Sequence, residues 1–378
     1  MLLIEADGKS LFRQIGIPVP DGVVVEAETP LPALPGDGPW VVKAQVPVGG
    51  RGKAGGVAVC RNRQEVVDAV RRMIGRPIRG HVVRACLIER AVEGVEAYVS
   101  LVVDAAEGAV RVMYSGDGGV DIEQATRQGG LMSVSCEADI ESVRGGIAGL
   151  AGTMTPAAAA AFGPIAERLA VLLFEKELLL AEVNPLFLTS DGAVAGDAKI
   201  VVDTNALERQ PELLAFIDRR PQIYRDVWRK VHEGFDFIDL DDDGSIGLVT
   251  TGAGLSMMLI DELVTRGGKP INFCDIRTGQ FRGSPERLIR VLEWLTEKKN
   301  IRVIFINIFA GITDLGEFAR LLVQALERSP AQRVPVIARL VGTGEQAAIE
   351  YLKSARPGLS VYSDMEPALA KVISVAAA

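Results

Sequence analysis

The spacing of apolar positions changes character along the chain. Leu11, Phe12 and Ile15 recur at helical spacing and predict a helix over 5–15, ended by Gly16-Ile17-Pro18. Short β-branched runs follow. They predict strands over 23–25, 41–45 and 56–60, with a proline-rich loop over 31–39. Helical spacing returns over 65–74. Strands are then expected over 82–89, 96–103 and 110–114, a long helix over 157–175, and a buried strand over 178–183 that ends in Asn184-Pro185. The strand 194–201 should pair back on it across Ser190-Asp191-Gly192. Residues 206–244 are polar and carry Pro211, Pro221 and the acidic run Asp239 to Asp243, which reads as a solvated linker. Beyond it the pattern becomes regular. Strands over 246–250, 271–275, 303–308 and 334–340 alternate with helices over 255–266, 285–297, 315–327 and 344–354. Such alternation gives a doubly wound parallel sheet. The expected class is α/β, with an α+β module over 1–235 and a parallel α/β domain over 236–378.

Composition narrows the function. A chain of 378 residues, 48% hydrophobic and poor in aromatics, suits two or three domains of α/β type. A net charge of −8 argues against general nucleic-acid binding. Cys60, Cys86, Cys136 and Cys274 lie far apart, without C-x-x-C spacing, so neither a metal cage nor a disulfide framework is expected. A reducing cytoplasm fits this usage. No signal-peptide pattern opens the chain, and no stretch reads as a membrane span of about 20 apolar residues.

The densest chemical signal is the loop Gly49-Gly50-Arg51-Gly52-Lys53-Ala54-Gly55-Gly56, directly after a strand carrying Lys43. Glycines let the backbone approach a ligand closely, and successive N–H groups can cradle an anion. Lys43, Arg51 and Lys53 add positive charge, which suits a nucleotide triphosphate. Neither a Walker loop nor a dinucleotide fingerprint fits the spacing. Acidic candidates sit near strand ends: Glu89, Glu182 and Asp197. Asn184 and Asp197 are placed to face one site, and their hard oxygens suit Mg²⁺ bound to phosphates.

In the second domain three small-residue turns follow strands: Thr251-Gly252-Ala253-Gly254, Arg277-Thr278-Gly279 and Ala310-Gly311-Ile312. Ligands of open α/β sheets bind at that rim, where helix N-termini attract anions. His81 and His232 have no evident partner in sequence and read as surface residues.

Together these residues resemble the β subunits of succinyl-CoA synthetase and related ADP-forming acid–CoA ligases. The matches are Trp40-Val41-Val42-Lys43, Gly49 to Gly56, Glu182-Val183-Asn184-Pro185-Leu186, Asn205-Ala206-Leu207, Gly252-Ala253-Gly254-Leu255 and Asn307-Ile308-Phe309. The resemblance spans nearly the whole chain. It implies an ATP-grasp module followed by a flavodoxin-like ligase domain. It implies nucleotide contacts at Lys43, Gly50, Arg51, Gly52, Glu89, Val92 and Glu96, and Mg²⁺ at Asn184 and Asp197. Glu182 and Arg51 would serve catalysis, with Glu182 helping to hold a phosphohistidine. Thr251, Arg277, Gly311, Ile312 and Thr313 would bind the acid, with 311–313 opening a helix toward the phosphate. The histidine and the coenzyme A site belong to a partner α subunit, and Pro20 matches relatives that use ATP. Thr251 stands where Asn is usual, and Arg277-Thr278-Gly279 where three glycines are usual. Arg277 therefore either grips an acid other than succinate, such as a sulfonated or hydroxylated one, or forms a salt bridge at the subunit interface. A stand-alone carboxylate–amine ligase and a non-catalytic regulatory subunit are the competing readings.

Overall fold

The computed structural model describes residues 1–27, 29–119, 130–277, 279, 283–311 and 313–378. The chain divides into two compact units, Met1–Tyr224 and Arg225–Ala378.

The first unit opens with helix α1 (Glu5–Gln14). An antiparallel sheet follows, ordered β1-β6-β2-β3, from β1 (Gly22–Glu26), β2 (Trp40–Ala44), β3 (Val57–Cys60) and β6 (Ala85–Arg90). Helix α2 (Arg63–Met73) covers this sheet with Val66, Ala69, Val70 and Met73, and the Asn62 side chain caps it by accepting from Glu65 N. The small hairpin β4 (Pro77–Ile78) and β5 (His81–Val82) lies between α2 and β6. A second sheet runs β11-β10-β7-β8-β9. Its strands are β7 (Val95–Asp104), β8 (Ala109–Ser115), β9 (Leu131–Glu137), β10 (Leu178–Thr189) and β11 (Gly192–Ala195). Strand β12 (Lys199–Val202) also pairs with β10.

Helices α3 (Ile140–Ala151) and α4 (Pro156–Glu175) cover that second sheet. Helix α4 corrects one expectation, because its length and apolar composition do match those of a membrane span. Its Phe162, Ile165, Leu169 and Leu173 are buried here, and the Phe162 ring meets Tyr114 of β8 edge-on at 5.3 Å. It is an alanine-rich core helix of this unit.

The segment 206–244 is not a solvated linker. It holds α5 (Pro211–Arg219), α6 (Arg225–Glu233) and strand β13 (Asp236–Asp239). Leu213, Phe216 and Ile217 are buried in the first unit, and Phe235 and Phe237 in the second. The segment looks polar because its short helices are amphipathic and its charges are paired. Asp239 bonds Arg225 and Arg229 and lies 2.8 Å from Lys298 Nζ. Arg229 stacks between Phe237 and Trp294, 4.5 and 4.3 Å from the ring centres.

The second unit is built on a parallel sheet ordered β14-β16-β17-β18: β14 (Ile246–Thr250), β16 (Val303–Ala310), β17 (Val336–Gly342) and β18 (Ser360–Tyr362). Alternate residues point to opposite faces. Val249, Ile304 and Ile306 pack under α8 (Glu286–Thr296) and α9 (Leu315–Arg328). Leu248, Val303 and Phe305 pack under α7 (Ala253–Thr265) and α11 (Met365–Ala377). Helix α10 (Glu345–Ala355) buries Ala348 and Leu352 on the α9 side.

Strand β15 (Asn272–Asp275) pairs antiparallel with β13 and keeps a parallel bridge to β14 at Pro270 and Ile246, flanked by bonds from Ile271 N to Ile246 O at 2.8 Å and Ile276 N to Thr250 O at 3.0 Å. Between those backbone bonds a side chain completes the tie to β14. Asn272 is fully buried; its Oδ1 accepts from Leu248 N at 2.8 Å and its Nδ2 donates to Leu248 O at 2.9 Å. Replacing Asn272 with leucine leaves that backbone N–H and C=O unpaired in an apolar core. The expected loss is about 2–4 kcal/mol of stability, read as a lower urea midpoint with an unchanged slope. A midpoint within error of the parent's would show that the amide is dispensable.

Candidate functional site

Arg51 of the glycine loop, Lys43 of β2, Glu89 of β6 and Asp197 meet helix α1 in one charged cluster of the first unit. Strand β10 is irregular at Asn184-Pro185, where its register with β7 shifts between Val183 and Leu186. Opposite that point the returning chain is also broken, into β11 and β12, with Gly196, Asp197 and Ala198 between them. Gly196 N donates to Pro185 O at 2.9 Å, which sets Asp197 in the gap opposite Asn184-Pro185. A β-carbon on Gly196 would lie 2.4 Å from the Phe187 ring, so only glycine fits there.

Beneath this break lies a network of short ion pairs. Lys43 Nζ of β2 donates to Glu5 Oε1 at 2.7 Å and to Gly196 O at 2.6 Å, and lies 2.9 Å from Glu89 Oε2. Arg51 donates to Ala44 O, to Glu5 Oε2 at 2.8 Å and to both oxygens of Asp197 at 3.0 Å. Ala54 N and Gly56 N return to Arg51 O, curling the loop around it. Gly50 turns with φ +70°, and Arg79 donates to Gly49 O beside it. Burial alone would raise the Glu5 carboxyl pKa, yet Lys43, Lys9 and Arg51 together hold it far below the usual carboxylate range. Burial likewise opposes charge on Lys43 and Arg51, and the surrounding carboxylates outweigh it, raising both.

Several expected site residues therefore already have protein partners. Glu89 is 1% exposed and held by Lys9 and Lys43. Asp197, 32% exposed, takes Arg51 and Ala198 N. Asn184 Oδ1 accepts from Gly119 N at 2.7 Å. Glu182 accepts from Tyr98 Oη and Lys199 Nζ, each near 3.3 Å. Glu96 is exposed and pairs with Phe187 across the sheet. Gly52 has open space around it, and Val92, half-buried, follows β6.

Glu5 and Lys9 were absent from the sequence reading. Their signal lies in α1, where Glu5, Lys9 and Phe12 share one helical face at i, i+4 and i+7. Charges on a core-facing stripe mark a buried pair, and here they lie 2.7 Å apart with Lys9 1% exposed.

The second unit brings its turns to one rim. Gly252 N and Arg277 N both donate to Asp275 Oδ1. Thr251, 7% exposed, spends its hydroxyl on the Phe309 backbone, donating to its O and accepting from its N. Thr343 Oγ1 donates to Gly311 O at 3.2 Å. Arg277 donates to Asp236 Oδ2 at 3.0 Å, a salt bridge within this unit, and remains 46% exposed. Helix α9 begins at Leu315 rather than at 311–313, because the Asp314 side chain accepts from Glu317 N and caps it. Thr313 precedes that cap; Thr278 and Ile312 lie outside the described residues. At α7 no side chain caps the N-terminus, and its first turn carries no acidic residue.

The comparisons with known proteins agree with this architecture. An ATP-grasp domain model matches residues 2–188 and a CoA-ligase model matches residues 249–373. The fold and the two matched domains thus define an ATP-grasp acid–CoA ligase chain. The β subunit of ADP-forming succinate–CoA ligase from Ignicoccus hospitalis is 34% identical over the full length of both chains. The corresponding Chloroflexus aurantiacus subunit is 36% identical over 94% of each. The chain belongs to the family of ADP-forming succinate–CoA ligase β subunits. ATP citrate lyase from Methanothrix soehngenii, solved with citrate and coenzyme A, shares the fold at a TM-score of 0.72, with 18% identity over 99% of each chain. This family membership sets aside the stand-alone carboxylate–amine ligase.

Proposed function

We propose that this chain is the nucleotide-binding β subunit of a two-subunit enzyme. It would convert a short anionic acid, coenzyme A and ATP into acyl-CoA, ADP and phosphate. The observation that carries the reading is that Lys43 and Arg51 bond Gly196 O and Asp197 in the gap opposite Asn184 at the break in β10. Phosphoryl transfer needs positioning and charge neutralisation more than covalent help from the protein. Lys43, Arg51 and the N–H groups of the glycine loop would hold the phosphates. The oxygens of Asn184 and Asp197 fit Mg²⁺, which is held by one or two side chains plus phosphate oxygens. Bound there, the ion would neutralise phosphate charge. Glu182 would orient a phosphohistidine carried by the partner α subunit, which also binds coenzyme A. Four free, buried cysteines support a reducing, cytoplasmic setting.

Succinate, named in the relatives, is the first acid to test, and the rim of the second unit is its proposed site. The experiment is acid-dependent ADP release by this chain co-expressed with an α-type subunit, with succinate, malate, citrate, acetate and sulfonated acids. Turnover of succinate alone assigns a succinate–CoA ligase. Turnover of another acid places specificity in the Thr251 and Arg277 turns. No turnover with any acid favours a non-catalytic subunit.

Arg277 has one donor on Asp236 and half its surface open. Replacing it with glycine is expected to change the kcat/KM ratio between succinate and a larger acid about tenfold or more, the scale of a charge-assisted hydrogen bond. An unchanged ratio removes Arg277 from the acid site and leaves it as the structural partner of Asp236.

A further inference from the structure

The charged cluster under the glycine loop is closed on itself. Lys9, Lys43 and Arg51 face Glu5, Glu89 and Asp197, so positive and negative groups balance. An ammonium has three N–H donors. Those of Lys43 face Glu5 Oε1 at 2.7 Å, Gly196 O at 2.6 Å and Glu89 Oε2 at 2.9 Å. Lys43 can take a phosphate oxygen only by releasing one of these. Lys9 reaches the same three groups. Its Nζ lies 2.7 Å from Glu5 Oε1, 2.6 Å from Glu89 Oε2 and 2.8 Å from Gly196 O.

We propose that Lys9 is a positioning residue for nucleotide binding, a resident counter-cation that keeps Glu5, Glu89 and Gly196 paired when Lys43 turns to a phosphate. The proposal rests on the nucleotide reading of the site. Its physical basis is the penalty for leaving a buried carboxylate unpaired, which would otherwise fall on each binding event. Lys9 is 1% exposed and its ammonium is enclosed by Glu5, Glu89 and Gly196 O, so it acts through Lys43 rather than on the nucleotide. Without Lys9, two buried carboxylates retain Lys43 and the cluster carries an excess negative charge, which also repels phosphate.

The test is Mg-ADP affinity by calorimetry on the full chain, with its partner subunit where the two co-purify. Lys9→Met is expected to weaken binding about tenfold or more. The double variant Lys9→Met/Glu89→Gln restores equal charge, with Lys43 and Arg51 against Glu5 and Asp197, and Glu5 keeps Arg51 when Lys43 turns. It is expected to bind within about threefold of the parent, because the buried excess charge is gone. A purely structural Lys9 predicts a double variant at least as weak as the single one. If Lys9→Met does not fold, the parent crystallised with Mg-ADP decides. Lys9 should keep both carboxylates while Lys43 has left at least one of its three acceptors. Lys43 retaining all three, or Lys9→Met binding as tightly as the parent, overturns the proposal. A parent chain that binds no Mg-ADP overturns the nucleotide reading beneath it.

Discussion

Replacing Arg51 with lysine is expected to lower acid-dependent ADP formation by about two to three orders of magnitude, the scale seen when one preorganised charge donor is removed from a reaction centre. The conserved charge does not rescue it. The guanidinium spans Ala44 O, Glu5 and both oxygens of Asp197, and so fastens the start of the loop to β2, α1 and the carboxylate at the break. An ammonium offers a point charge without that planar geometry. Lysine would therefore leave either Glu5 or Asp197 underpaired. The measurement is steady-state kinetics beside a thermal melt. A kcat/KM within tenfold of the parent's in a folded variant would show that Arg51 supplies charge alone.

Replacing Glu5 with leucine is expected to destabilise the first unit by about 3–5 kcal/mol, the range for breaking a buried ion pair from one side. Both of its oxygens are used, by Lys9 and Lys43 on one and Arg51 on the other. Removing them leaves three cations sharing two carboxylates. Urea unfolding reads the loss directly, and a change below about 1 kcal/mol would show that the cluster is only as strong as a surface pair. The pH dependence has a definite sign. Despite its burial, the Glu5 carboxyl is held by its cations far below its unfolded value of 4.5. Its contribution is therefore complete above pH 4.5 and declines as pH falls below that value toward the lower folded pKa. The stability gap between the parent and Glu5→Leu should hold at neutral pH and narrow only in acid.

How far the sequence could be read depended on whether the signal was local. The strands and helices over 246–354 were legible because each β–α step repeats one pattern. The glycine loop was legible because five glycines and two cations in eight residues have few uses. The segment 206–244 misled, since amphipathic α5 and α6 are too short to show their apolar stripe above their charges. Residues 131–151, which form β9 and α3, went unassigned. Their apolar spacing is diluted by glycine and serine.

The sequence by itself determined the two-part architecture, the alternation of strands and helices over 246–354 and the residue types able to meet a nucleotide. Each of these is written in periodicity and composition within a few neighbouring positions. Only the tertiary structure decided which charges touch. Glu5 and Glu89 lie 84 positions apart, and Asp197 is 146 positions from Arg51, yet all sit in one cluster. Asn272 ties two strands through its amide, Thr251 spends its hydroxyl on Phe309, and Arg277 bonds Asp236. The physical reason is that burial makes pairing compulsory without fixing the partner. A charge taken from water must find an opposite charge, and which one it finds is set by where the chain's packing brings distant positions together.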